Sequence, residues 1–238
     1  MMQLHKYLFV ACLLGVLTFP VSCNGLPESN RSKEVAQRVK PLLVKQMTEK
    51  GLMLGNPIFI RIFKEEKELE IWVKQDEKFT LFKTYAIHYF SGKLGPKLKE
   101  GDKQAPEGFY YVTASRMNPN SRFHLSFNLG YPNTYDRAHG RTGSALMVHG
   151  STVSIGCFAM TDERIEEIYT LAHAALEGKQ RFFRVHIFPF RMTPHIMEKF
   201  QSHQWASFWN NLKEGYDFFE LKGSPPNVEV ENRRYVFD

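Results

Sequence analysis

Cysteine is scarce in this chain: Cys12, Cys23 and Cys157 are the only three among 238 residues. Cys12 lies inside an apolar N-terminal run and Cys23 just beyond it, so a chain that loses this segment keeps Cys157 alone. A solitary cysteine excludes an internal disulfide framework. Metal-ligand spacing is missing as well. His88, His124, His173, His186, His195 and His203 are scattered and no His-Glu-x-x-His occurs, so neither a metal nor another cofactor is expected. The formal charge is +6, which suits attraction to an acidic polymer or surface. The basic residues are nevertheless dispersed and never run together with aromatics, which excludes a nucleic-acid partner of any familiar module. Beyond residue 25 no apolar run approaches the ~18 residues of a transmembrane helix, and there is neither an internal repeat nor a low-complexity stretch.

What is present is apolar and aromatic. With 43% apolar and 14% aromatic residues the chain can fill one full-sized core with a small appendage. Residues 1–25 have the layout of a secretory signal: Lys6, an apolar run from Tyr7 to Leu17, Pro20 as breaker, then Ser22, Cys23, Asn24 and Gly25. The mature protein is therefore expected to be exported. Pro20-Val21-Ser22-Cys23 also has the outline of a lipobox, in which Pro20 fits poorly; a true one would make Cys23 a lipidated N-terminus.

The remaining chain divides into a helical leader (26–55), a central domain (56–193) and a C-terminal extension (194–238) packed on it. Ser29 to Gly51 predicts a helix with Val35, Val39, Leu42, Leu43 and Met47 as its apolar positions, Ser32 as cap, Pro41 as a kink and Gly51 as stop. From Asn56 the period becomes two. Ile58, Ile60 and Ile62, then Leu69, Ile71 and Val73, form a hairpin about Glu65-Glu66-Lys67, and Phe79–Phe90 continues the sheet. Lys93, Lys97, Lys99 and Lys103 decorate a Gly-rich loop that either faces an acidic substrate or is merely solvated. Further strands are expected at 109–112, 123–129 and 184–188, and short helices at 194–200 and 204–216. An exposed tail ends in a strand at 235–237. Residues 130–140, with Tyr135, Asp136, Arg137 and His139, form a turn-rich insertion suited to a substrate wall.

The chemistry concentrates in Leu146-Met-Val-His-Gly-Ser-Thr-Val-Ser-Ile-Gly-Cys157, whose Leu146, Met147, Val148, Val153 and Ile155 predict buried strand. Acyl transfer by a thiol needs a sulfur nucleophile, an imidazole and unencumbered N–H groups for the oxyanion; Cys157, His149 and the glycines at 150 and 156 supply those types. Thr161-Asp162 then caps a helix carrying Ile165, Ile168, Tyr169 and Leu171, which predicts Cys157 near a helix N-terminus able to lower its pKa.

His149-Gly150 followed by Ser154-Ile155-Gly156-Cys157 resembles the L,D-transpeptidase (YkuD) catalytic domain family, and the likeness extends over about 56–193. Pro106-x-Gly108-x-Tyr110 and the strands from Ile58 to Val73 resemble the same family. Tyr135-Asp136-Arg137-x-His139-Gly140, Phe188-Pro-Phe-Arg-Met192 and the short His-to-Cys spacing are closest to its YafK-like branch. The resemblance implies a mainly β, sandwich-like fold of mostly antiparallel strands with peripheral helices, in a periplasmic enzyme that acylates its cysteine with peptidoglycan stem peptides at the L-centre of meso-diaminopimelate. Cys157 would be the nucleophile and His149 the base. The Gly150 carbonyl would orient the imidazole, and the Gly156 and Cys157 amides would form the oxyanion hole. The branch is associated with hydrolysing the diaminopimelate–lysine amide that anchors an outer-membrane lipoprotein to the wall. Transpeptidation that forms such tethers or 3-3 cross-links is the alternative, and a non-catalytic wall-binding module a third possibility. Two positions depart from the pattern: Ile155 replaces a His or Ser, and Ala159 stands where most members carry a substrate-holding Arg.

Several roles stay open on the residues alone. Ser154 either hydrogen-bonds within the site or closes the turn. Arg137 and Arg191 either grip a stem carboxylate in place of the missing Arg or make ordinary ion pairs, and His139 is either a second acid or substrate contact or a surface histidine.

Overall fold

The computed structural model describes residues 25–238; the expected signal, with Cys12 and Cys23, lies outside them. Its centre is a five-stranded mixed sheet in the order β3-β2-β1-β9-β4. The strands are β1 (Ile58–Phe63), β2 (Glu68–Gln75), β3 (Lys78–Ala86), β4 (Gly108–Thr113) and β9 (Phe182–Phe188). All pairings are antiparallel except that of β1 with β9. A four-stranded sheet packs on it, ordered β5 (Met117–Asn118), β6 (Ser126–Asn128), β7 (Met147–His149), β8 (Phe158–Ala159).

β1 explains why the layers number more than two. Its Ile58, Ile60 and Ile62 enter the main core, yet the alternate residues Phe59, Arg61 and Phe63 are buried as well, so both faces of the sheet are covered. The second cover is the C-terminal segment: α4 (Pro194–Lys199), α5 (Ala206–Lys222) and a hairpin of β10 (Val228–Glu231) with β11 (Arg234–Phe237). Arg61 is countered by Glu220 of α5 at 2.6 Å and by Glu70 of β2 at 3.6 Å, and lies over the α5 rings of Tyr216 and Phe219. The end of the chain is thus no exposed tail. Asn232 and Arg233, both at positive φ, turn the hairpin, and Tyr235 is buried with its ring stacked on Tyr135 at 4.2 Å.

The leader forms α1 (Asn30–Thr48), which runs on through Pro41 and buries Val35, Val39, Leu43 and Met47, one stripe at helical spacing. Ser29, rather than Ser32, is the N-cap. Ser32 sits three residues on and returns its hydroxyl to the Ser29 N–H, closing a capping box. Arg38 reaches Glu166 at 2.7 Å on α3 (Asp162–Glu177), and Arg31 donates to the carbonyls of Ser121 and His124, so the leader docks on both the helix and the β5–β6 loop. Thr161 occupies the N-cap position of α3 at φ 74° without a side-chain cap bond, contrary to expectation. Residues 130–140, expected to be turns, contain a short helix α2 (Thr134–Ala138) because Asn133 and Asp136 cap it reciprocally. Among the described residues no helix is long and apolar enough to cross a membrane.

Candidate active site

β7 and β8 run parallel, with Val148 opposite Phe158 and His149 opposite Ala159. Val148 and Phe158 face the core, so alternation along the strand turns His149 to the other face of this sheet, while Cys157, one residue ahead of β8, is half-buried and packs against that core. The Met147 N–H points to Cys157 Sγ at 3.4 Å, and Sγ lies 3.7 Å from the Ala145 carbonyl oxygen. Val153 and Ile155, expected in a buried strand, are instead 59% and 73% exposed in the loop between β7 and β8. A parallel pair cannot be closed by a tight turn, and this loop is the connection.

His149 is 1% exposed, with Nδ1 2.6 Å from the Gly150 carbonyl oxygen. A carbonyl can only accept, so Nδ1 holds the proton and Nε2 keeps a free lone pair. Phe123 stacks on the ring at 4.7 Å. Gly150 has no room for a side chain: a Cβ would stand 2.5 Å from Asp162 Oδ1 and 2.8 Å from the Phe123 carbonyl oxygen. Asp162 Oδ1 also accepts the Ser151 N–H at 2.7 Å, so the first residue of α3 ties down the His-Gly turn.

Burial favours the neutral form of each of the two side chains. Burial holds His149 below the ordinary imidazole range, against the Gly150 bond that raises it. Burial likewise pushes the Cys157 thiol up, with the Met147 N–H and the charge of Lys97 pulling the other way. β8 stands between Cys157 and the start of α3, and the groups that pull the thiol down are the Met147 N–H and Lys97.

Ser154 Oγ donates to the Cys157 carbonyl at 2.7 Å and closes the turn. Gly156 adopts φ +96°, and its N–H donates to Ser91 Oγ at 2.7 Å, so this expected oxyanion donor is engaged within the protein. The Cys157 N–H has no partner among the described residues. Ala159 is fully buried and exchanges backbone hydrogen bonds with Tyr89.

The expected substrate-contact residues are placed elsewhere. Arg191 is held by Glu68 and by Glu70 at 2.8 Å and lies over Phe63, so its guanidinium is committed to an ion-pair cluster. Tyr135 is buried between Tyr235 and His139, and His139 Nδ1 is 2.9 Å from the Tyr135 carbonyl oxygen. Tyr135 and the exposed Arg137 line a cavity that includes neither His149 nor Cys157. Sequence reasoning passed over Ser91 and Phe123 as site neighbours. Lys97, in the loop expected either to face an acidic substrate or to be solvated, is buried and holds Asp102 Oδ1 at 2.5 Å. Its only signal was the density of Gly and Lys around it. Among the described residues no group of three or more His, Cys, Asp or Glu side chains is placed to hold a metal ion.

A free thiol one residue ahead of β8, the only one among the described residues, and a buried imidazole at the end of the neighbouring β7 are features of an enzyme of the L,D-transpeptidase kind. Residues 57–187 match the family model of the L,D-transpeptidase catalytic domain, YkuD, and the chain belongs to this family. It is 42% identical, over 95% of its own length and 89% of the other's, to YafK of Escherichia coli (strain K12), which is named as an L,D-transpeptidase. Among solved structures it is similar to the helical cell shape determining protein Pgp2 from Campylobacter jejuni (TM-score 0.45, 18% identity, 80% of each chain). A second is Bd1075 of Bdellovibrio bacteriovorus (TM-score 0.39, 17% identity, 77% of this chain and 83% of that one).

Proposed function

We propose that this chain is an exported cysteine amidase of peptidoglycan that hydrolyses the amide between diaminopimelate and the terminal lysine of a wall-anchored outer-membrane lipoprotein. The observation that carries this reading is the neutral pair: a thiol in reach of its strand partner's N–H, and an imidazole whose Nδ1 is committed to Gly150 so that Nε2 is free to accept.

As Cys157 Sγ forms its bond to the carbonyl carbon, Nε2 of His149 takes the thiol proton, and the carbonyl electrons move onto oxygen opposite the Cys157 N–H. Collapse breaks the C–N bond, and His149 returns that proton to the departing lysine amine, leaving a thioester. Water then adds to the thioester, His149 takes its proton, and the carboxylate leaves as the thiol re-forms. Hydrolysis is favoured over transfer because Ala159, buried against Tyr89, offers no guanidinium for the carboxylate of a terminal D-alanine.

The test is incubation of the mature protein with lipoprotein-bearing sacculi and mass spectrometry of released and retained material. Free lipoprotein with intact tripeptide stems is expected, and Cys157→Ala should release none. D-alanine release with new cross-links would overturn hydrolysis in favour of transfer, and unchanged release by Cys157→Ala would remove the thiol from the mechanism.

A further inference from the structure

Away from the thiol, the largest concentration of unassigned chemistry surrounds a cavity of about 540 Å³ on the other face of the five-stranded sheet. The antiparallel register of β4 and β9 sets Phe109 opposite His186 and Tyr111 opposite Arg184, which puts these four side chains on one face. Their neighbours Tyr110, Val112, Phe183 and Val185 fill the main core on the opposite face, where Phe127 of the four-stranded sheet meets Phe183 at 5.3 Å. The five-stranded sheet therefore separates the cavity from the sheet that carries Cys157. The C-terminal hairpin closes it through Val228, Val230 and Tyr235.

Three guanidiniums line the cavity, and their protein partners are all neutral oxygens. Arg116 donates to the Tyr111 carbonyl, Arg137 to the Pro132 carbonyl and Thr134 Oγ1, and Arg184 to Asn227 Oδ1 at 2.6 Å. Glu229 and Asp238 also line the cavity, and neither pairs with these arginines among the described residues. Arg116 lies against Gly130, where a Cβ would stand 2.2 Å from Nη1, and covers the ring of Tyr111 at 4.6 Å. Arg184 covers Phe182 at 5.2 Å, and burial holds its guanidinium below the ordinary range. His186 supplies a second and independent sign. It is 1% exposed, its ring lies edge-on to Phe59 and Phe109, and neither ring nitrogen has a partner among the described residues. Buried polar atoms in native proteins are nearly always bonded.

We propose that this cavity is a second binding site, separate from the thiol, for a carboxylate-bearing peptide whose carboxylate is held by Arg116 and Arg184 beside the buried His186 ring. Guanidiniums match carboxylates bidentately, the flanking Tyr111 and Phe182 offer faces to aliphatic and amide groups, and the volume is that of a small-ligand site. Identifying the peptide as a stem of the wall rests on the activity proposed above. The site then holds one stem while Cys157 acts on a neighbouring one.

The test uses the full mature chain carrying Cys157→Ala, titrated with a soluble muramyl-tripeptide ending in diaminopimelate, with the His186 ring signals followed by NMR. The signals should move and saturate. The same peptide with its carboxylates amidated should leave them in place, a comparison that needs no change to the cavity. Arg116→Gln with Arg184→Gln should weaken the response by at least about tenfold, as loss of a charge-assisted hydrogen bond would. Ring signals that ignore the tripeptide, that move equally with the amidated peptide, or that move only with inorganic phosphate would overturn the assignment. Because no turnover is read, failure here is distinguishable from failure of lipoprotein release from sacculi by the unmodified enzyme.

Discussion

At the residue scale the two side chains proposed to react differ in how they are prepared. The His149 imidazole is held neutral by burial and oriented by the Gly150 carbonyl, while the Cys157 thiol is held protonated by burial. A base whose pKa is lowered stays competent as the pH falls, so kcat/KM should keep its plateau below the ordinary imidazole value of about 6.5 and decline only in more acidic solution. Alkylation of Cys157 by iodoacetamide should rise with pH to a midpoint above the ordinary thiol value of about 8.5; a midpoint near 6 would mean a pre-formed thiolate pair. Ser91 offers a complementary measurement. Its Oγ accepts the Gly156 N–H, and Ser91→Ala would free that amide for the oxyanion. The variant should keep kcat within about threefold of wild type, since losing a true oxyanion donor costs ~100-fold or more.

At the scale of elements, the loop from Ser91 to Glu107 is held from beneath by a buried ion pair that no local pattern announces. Lys64, just past β1, places Nζ 2.9 Å from Glu107 Oε1 and 2.8 Å from the Gly95 carbonyl oxygen, and Trp209 of α5 donates to Glu107 Oε2 at 2.8 Å. Both charged side chains are fully buried. Lys64→Met would strand the Glu107 carboxylate in a desolvated site and should cost about 3–5 kcal/mol, read as a lowered urea midpoint. The double substitution with Glu107→Gln should recover part of that loss. The same loop carries Lys97 and Ser91 to the thiol side, so its rigidity and the site's geometry are linked. The alternating stretches of β1, β2 and β3 were legible from period two alone. β5 and β8 were not, because two-residue strands have no period to read.

At the scale of the whole molecule, the C-terminal segment belongs to the fold as a second cover for the central sheet. Tyr235 stacks on Tyr135, meets Phe109 at 4.8 Å, and accepts from Asn133 Nδ2 at 2.9 Å. Tyr235→Ala should lower stability by about 3–5 kcal/mol, the range for deleting a buried ring, and a thermal melt unchanged within experimental spread would show that the hairpin is an adornment. The sequence by itself determined the central sheet's first strands, the leader's buried stripe and the family to which the short His-Gly and Ser-x-Gly-Cys motifs belong, since periodicity, capping chemistry and short motif spacing are local properties. Only the tertiary structure decided that Arg191 belongs to Glu68 and Glu70, that Gly156 lends its N–H to Ser91, that Lys97 is buried, and that the chain's end packs rather than trails. Those outcomes depend on which distant segments share a low-dielectric space, where desolvation and hydrogen-bond satisfaction choose the partners and separation along the chain does not.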